Sequence, residues 1–216
     1  MTNDRMDRTL AWLELRNDAV FGKIPADKYR YYLDGALAAG ERAAARYTGQ
    51  NIRQLCDANG IEIRSEPGEG LFFSVQFRAQ FEYSKEKSLR RITLYQASLQ
   101  SLQQGCESAG YAMTLEEITD IHLAHEFFHF LEYSHDQPVS AQLEKVCNIA
   151  FGPFKRYSSV AATSEIAAHR FCQQLIGLDT FPTWFDYLWL EQCGKLTRAQ
   201  REEIVAAAQA EMAALM

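Results

Sequence analysis

The five cysteines (Cys56, Cys106, Cys147, Cys172 and Cys193) include no C-x-x-C pair, and their number is odd. This argues against a disulfide framework and against a thiolate zinc knuckle, and it fits a reducing compartment. Positive charge is also scarce: 22 Lys and Arg stand against 28 Asp and Glu, for a net charge of −6. Binding to nucleic acid needs a local basic patch. The densest basic stretch, Lys85, Lys87, Arg90 and Arg91, falls at an expected turn between strands, so no nucleic-acid partner is expected. No run approaches the roughly 20 apolar residues that span a bilayer. The N-terminus, MTNDRMDRTLAWLELRNDAV, alternates charged with apolar residues and lacks the continuous apolar stretch of a secretory signal. A cytoplasmic protein with no membrane partner is the expectation. Gly105 and Gly110 frame a G-x-x-x-x-G, but Tyr111-Ala112 follow where a P-loop needs Lys-Ser/Thr, and no G-x-S-x-G occurs.

What is present suits a packed globule. Of 216 residues, 47% are apolar, including 13 Phe and 10 Tyr. Amphipathic helices are expected over 5–20 and 27–47, interrupted at Gly22 and Pro25, with a short third one from Asn51 to Asn59 stopped at Gly60. Ile61-Glu62-Ile63 reads as the start of a strand. Residues Leu71 to Tyr83 alternate apolar with mostly polar side chains, which predicts one long strand; the SKEKS turn then leads to a second, Arg91 to Tyr95, in an antiparallel hairpin. Helices are expected over 97–108, from the Thr114/Glu117 capping box to Tyr133, over 139–150 and 163–177, over Phe181–Leu190 and from Thr197 onward. The aromatic stripe Phe181, Trp184, Phe185, Leu188 and Trp189 reads as core. Residues 1–60 form a helical N-terminal segment and residues 61–216 the main domain, the two forming one compact unit.

The chemistry centres on His125-Glu126-Phe127-Phe128-His129. On a helix, positions i and i+4 share a face with Cβ atoms roughly 5–6 Å apart. Two imidazoles so placed can close on one ion, and the intervening Glu126 borders that ion, placed to take a proton from an attacking water. The flanking Leu123, Ala124, Phe127, Phe128, Phe130 and Leu131 are uncharged, so the motif is expected to be buried and its polar groups to need partners. A hydrolytic zinc needs a third protein ligand. Glu132 stands where an H-E-x-x-H-x-x-G motif would have its Gly. Glu165 and His169, at i and i+4 on the helix expected over 163–177, are the better candidates. His122, one turn before His125, reads as a supporting group. Tyr133, His135 and Tyr157 are open candidates for stabilising an oxyanion.

These residues resemble the gluzincins, which pair H-E-x-x-H with a Glu on a later helix, and within them the ImmA/IrrE group. Glu165-Ile-Ala-Ala168-His169-Arg-Phe171-Cys172 is similar to that group's second motif, and Gly60-Ile61-Glu62-Ile63 to its preceding strand; the likeness covers about residues 50–178. It departs at His169, where the group has Asn or Asp, and in the long interval between His129 and Glu165. The resemblance implies an α+β, zincin-like fold: a small, mainly antiparallel sheet with an active helix and flanking helices. It implies Zn2+ held by His125, His129 and Glu165, with His169 as a supporting group or alternative ligand, and Glu126 as general base of a metallopeptidase. The implied partner is a peptide or protein substrate, in the narrowest case one regulatory protein. A metal-binding regulatory module without hydrolysis stays open beside it. An extended substrate is expected to pair with Arg91–Tyr95 as the sheet edge.

Overall fold

The computed structural model describes residues 4–72 and 75–215. The N-terminal part is helical: α1 (Asp4–Arg16), two short 3-10 turns, α2 (Tyr29–Ala44) and α3 (Ile52–Ala58). Asn51 starts α3, its side chain accepting from the N–H groups of Arg53 and Gln54. Gly60, at φ 64°, turns the chain into strand β1 (Glu62–Glu66). There follow β2 (Gly70–Phe72), β3 (Val75–Phe77), β4 (Ala79–Ser84) and β5 (Leu89–Tyr95), then α4 (Gln96–Ser108) and α5 (Leu115–Ser134). The C-terminal third comprises α6 (Val139–Gln142), β6 (Val146–Phe151), β7 (Phe154–Ser158), α7 (Ala162–Ile176), α8 (Thr183–Gln192) and α9 (Arg198–Leu215). The fold is α+β.

The principal sheet has the order β1-β5-β4, with β1 parallel and β4 antiparallel to β5; β2–β3 and β6–β7 are separate antiparallel hairpins. Strand β5 is therefore central, not the expected edge. The edge next to the helix that bears the His125–His129 motif is β4, which packs on α5.

The long strand expected over Leu71–Tyr83 is broken. Phe73 and Ser74 lie outside the described residues. On either side of them β2 and β3 pair with each other, Gly70 opposite Phe77 and Leu71 opposite Gln76. Leu71 is 62% exposed, whereas Ala79 is buried. The break falls at Arg78. Its guanidinium turns inward to pair with Asp186 and lies 5.0 Å over the Trp189 ring, so the alternation does not run through it. Gly70 is required at the closure, because a Cβ there would meet the Phe77 carbonyl and the Tyr95 ring.

The helix expected over 139–150 lasts only four residues. Leu143 is already extended, and the β-favouring Val146-Cys-Asn-Ile-Ala-Phe151 pairs with Phe154–Ser158 around the Gly152-Pro153 tip. This hairpin stands clear of the body, with Phe151 81% and Phe154 76% exposed.

Two apolar clusters hold the rest together. One joins α3, α4, α5, α7 and α8 to the sheet around the fully buried Phe127, Ile92 and Phe171; the other joins α1 and α2 to α7 and α8 around Trp12, Tyr32 and Phe181. The stripe on α8 divides accordingly, with Phe185 and Leu188 buried and Trp184 and Trp189 partly so. Burying a side chain of this size stabilises by roughly 1.5–3 kcal/mol. Helix α2 crosses α7 at Gly40, where a Cβ would run into the Ala167 carbonyl and lie 3.0 Å from the Phe171 nitrogen. No helix among the described residues is long and apolar enough to cross a membrane.

Candidate metal centre

Helix α5 begins as its sequence predicts. Thr114 Oγ1 accepts from Glu117 N–H at 3.1 Å, and Glu117 Oε2 accepts from Thr114 N–H at 2.8 Å. The helix then runs unbroken through the motif. Leu123, Ala124, Phe127 and Phe128 are buried, leaving His125, Glu126 and His129 half-exposed on one side.

On that side α7 brings up Glu165. His125 Nε2 and His129 Nε2 are 3.2 Å apart, His125 Nε2 is 3.3 Å from Glu165 Oε2, and His129 Nε2 is 3.5 Å from Glu165 Oε1. Ligands about 2.0–2.1 Å from a tetrahedral ion must stand about 3.3–3.4 Å from one another. The three side chains thus approach one another at about the spacing such an ion requires, each histidine nitrogen meeting a different Glu165 oxygen. They are the one group of three or more His, Cys, Asp and Glu among the described residues close enough to hold an ion.

Charge at the site is strongly coupled. Burial opposes a charge on His129, but hydrogen bonds to Glu132 and Glu165 and the charges of Glu165 and Glu126 overcome it and push the ring up to about 10. Burial also works against ionisation of Glu165, yet hydrogen bonds to both imidazoles and their charges hold its carboxyl well below the usual range. A cation between the three donors would supply the positive charge that this carboxylate attracts. Burial raises the Glu126 carboxyl, the two histidines pull it down, Glu165 raises it again, and a hydrogen bond from the Phe81 main chain lowers it; the net direction is upward. A carboxyl raised above its ordinary value holds a proton more readily, as a base that must later act as an acid requires.

No protein-family model, curated protein or solved structure matches this chain.

The candidates from sequence separate clearly. His125, His129, Glu165 and Glu126 come together. His169 lies behind His125, ring centroids 4.7 Å apart, and beside Phe181 at 5.5 Å; its Nδ1 is buried without a hydrogen-bond partner. It buttresses the site and stands outside the group of His125, His129 and Glu165. His122, His125, Glu126, Glu165 and His169 all line one cavity of about 220 Å3. Tyr133, His135 and Tyr157 do not line it. Tyr133 stacks on Phe81, and Tyr157 is exposed on the β6–β7 hairpin.

Three residues that matter here were not singled out by sequence reasoning. Glu132, only 5% exposed, receives His129 Nδ1 at 2.9 Å on one oxygen, and Val139 N–H at 2.7 Å and Ser164 Oγ at 2.8 Å on the other. A carboxylate only accepts, so Nδ1 carries a proton towards Glu132, and an ion would have to take the place of the proton on Nε2. The signal was available: Glu132 follows His129 by three residues on a helix, hence on the same face. Asp18 Oδ2 accepts from Ala162 N–H at 2.8 Å and so caps α7, whose first turn holds Glu165. Nothing local in the sequence announces that contact across the chain. Glu14, a half-buried acid in the apolar turns of α1, is pushed up to about 7, by burial first and then by Glu165 and Asp186, with His125 pulling it down. An acid within an apolar run was the available sign.

Proposed function

We propose that this protein is a zinc-dependent peptidase of zincin-like architecture, with His125, His129 and Glu165 holding the ion and Glu126 acting on water and the leaving group. The observation that carries this reading is the cluster of His125 Nε2, His129 Nε2 and the Glu165 carboxylate, with closest approaches of 3.2–3.5 Å, and Glu126 beside it. A zinc ion there would polarise a carbonyl and lower the pKa of a water towards about 7. Glu126 accepts the proton of the attacking water and returns it to the departing amine, which its raised pKa favours. Glu132 holds His129 through Nδ1, in the orientation that leaves Nε2 to the ion. The architecture that supports the reading is an active helix packed under an edge strand. β4 pairs on one side only, with β5, so an extended peptide has a strand to lie along. Five unpaired cysteines fit a cytoplasmic setting.

The test is Glu126→Gln. This variant is expected to keep one zinc per chain by elemental analysis and to lose peptide hydrolysis, scored by comparing cleaved termini across a whole proteome with those made by the wild type. Hydrolysis equal to wild type in that variant contradicts the mechanism. Zinc bound by both proteins with no cleavage by either leaves a metal-binding module in place of a peptidase.

A further inference from the structure

The cavity beside Glu126 extends in one direction, away from His129 and towards α4 and α8. At about 220 Å3 it is smaller than pockets that take a whole drug-sized molecule, and it suits one side chain. Its walls are apolar where Leu102, Ile121, Phe185 and Ala79 meet. Its polar groups differ in how far they are committed. Arg78 and Asp186 are paired with each other. His122 Nδ1 lies 2.8 Å from the Ile118 carbonyl. A carbonyl only accepts, so the proton is on Nδ1 and Nε2 carries a lone pair. Burial and the Arg78 charge hold His122 down to about 4, so the ring stays neutral. His122 lines the cavity, and with Nδ1 committed to Ile118 its Nε2 is the ring nitrogen left to accept from a guest. Apolar walls with a neutral imidazole acceptor among them match a side chain that is apolar along its body and carries a neutral donor at its end.

We propose that this cavity is the specificity pocket of the site and selects a tyrosine flanking the scissile bond, its ring against Leu102, Ile121 and Phe185 and its hydroxyl donating to His122 Nε2. The inference rests on the peptidase reading above. Phenylalanine fills the same walls but leaves the acceptor unpaired. Leucine leaves it unpaired in the same way, and a carboxylate side chain brings no donor.

The test uses zinc-loaded wild type and His122→Phe, with peptides that differ only in Tyr, Phe, Leu or Lys beside the cleaved bond. Wild type is expected to favour Tyr over Phe by about five- to tenfold in kcat/KM, the worth of one neutral hydrogen bond. In His122→Phe that ratio falls to about one. Cleavage without a Tyr preference, a Lys preference, or a ratio unchanged in the folded, zinc-bound variant overturns the proposal. Calorimetry with tyrosine hydroxamate and phenylalanine hydroxamate reads the pocket without turnover and is expected to give the same ratio; equal binding overturns it. Tighter binding of the tyrosine compound with no cleavage of any peptide would sink the peptidase reading and leave the pocket assignment standing.

Discussion

At the scale of single residues, Glu132 decides how well the ligands are held. It fixes His129 from one oxygen and ties α5 to the start of α6 and to α7 from the other. Removing such a partner behind a metal-binding His weakens the metal about 10–100-fold. Glu132→Gln is accordingly expected to weaken zinc by that factor in competition with a chromophoric chelator, while Glu126→Gln leaves affinity near wild type. Glu132→Ala also strands the Val139 N–H and the Ser164 hydroxyl, and is expected to lower stability by about 1–3 kcal/mol in urea unfolding. Glu14 sets a pH dependence. Its folded value of about 7 lies above the ordinary 4.5, so the folded state binds the extra proton. The contribution of Glu14 to the stability of the metal-free protein is therefore lost as pH rises from about 4.5 to about 7, opposite in sign to that of the depressed His122 and His169, and Glu14→Gln should remove that component from the pH profile of thermal melts. A variant melting with the wild-type pH profile would contradict the assignment.

At the scale of elements, the position of α7 matters most, because it carries Glu165. Two contacts made by the N-terminal segment set it: the Asp18 cap on Ala162 and the close crossing of α2 at Gly40. Asp18→Ala is expected to cost about 1 kcal/mol, the usual worth of a cap, and Gly40→Ala about 1–3 kcal/mol by overpacking; both are read from chemical denaturation. Both should also weaken zinc, since the helix that shifts bears a ligand. Elements whose signals are local were legible in the sequence: the Thr114/Glu117 box, the short helix ahead of Gly60, the β4–β5 hairpin and the i, i+4 pair of histidines all lie where the pattern puts them. The failures have a common cause in long-range pairing. Period-two alternation across Leu71–Tyr83 does not reveal that Arg78 is drawn out of register by Asp186, more than a hundred residues away. The segment Val146–Phe151 suits helix and strand alike until Phe154–Ser158 arrives to pair with it. In the same way, β5 became central only because β1 adds to it in parallel.

At the scale of the whole molecule, five free thiols are distributed by depth. Burial pushes Cys56 up to about 12 and Cys106 up to about 11, and raises Cys172 as well, whereas Cys193 is exposed and Cys147 intermediate. A thiol reagent should label Cys193 first and Cys147 more slowly, with the other three reacting only on unfolding; mass spectrometry of the labelled peptides checks this. Early labelling of Cys56 or Cys172 would show that the clusters around α5 and α7 are not packed as described. Those clusters position the proposed ligands, for α5 and α7 meet through Phe127, Phe128 and Phe171. The most direct measurement is an anomalous difference map at the zinc edge from crystals grown with zinc. The account predicts one peak about 2.0–2.2 Å from His125 Nε2, His129 Nε2 and a Glu165 oxygen. No peak there, or a peak ligated by His169 in place of Glu165, would contradict it.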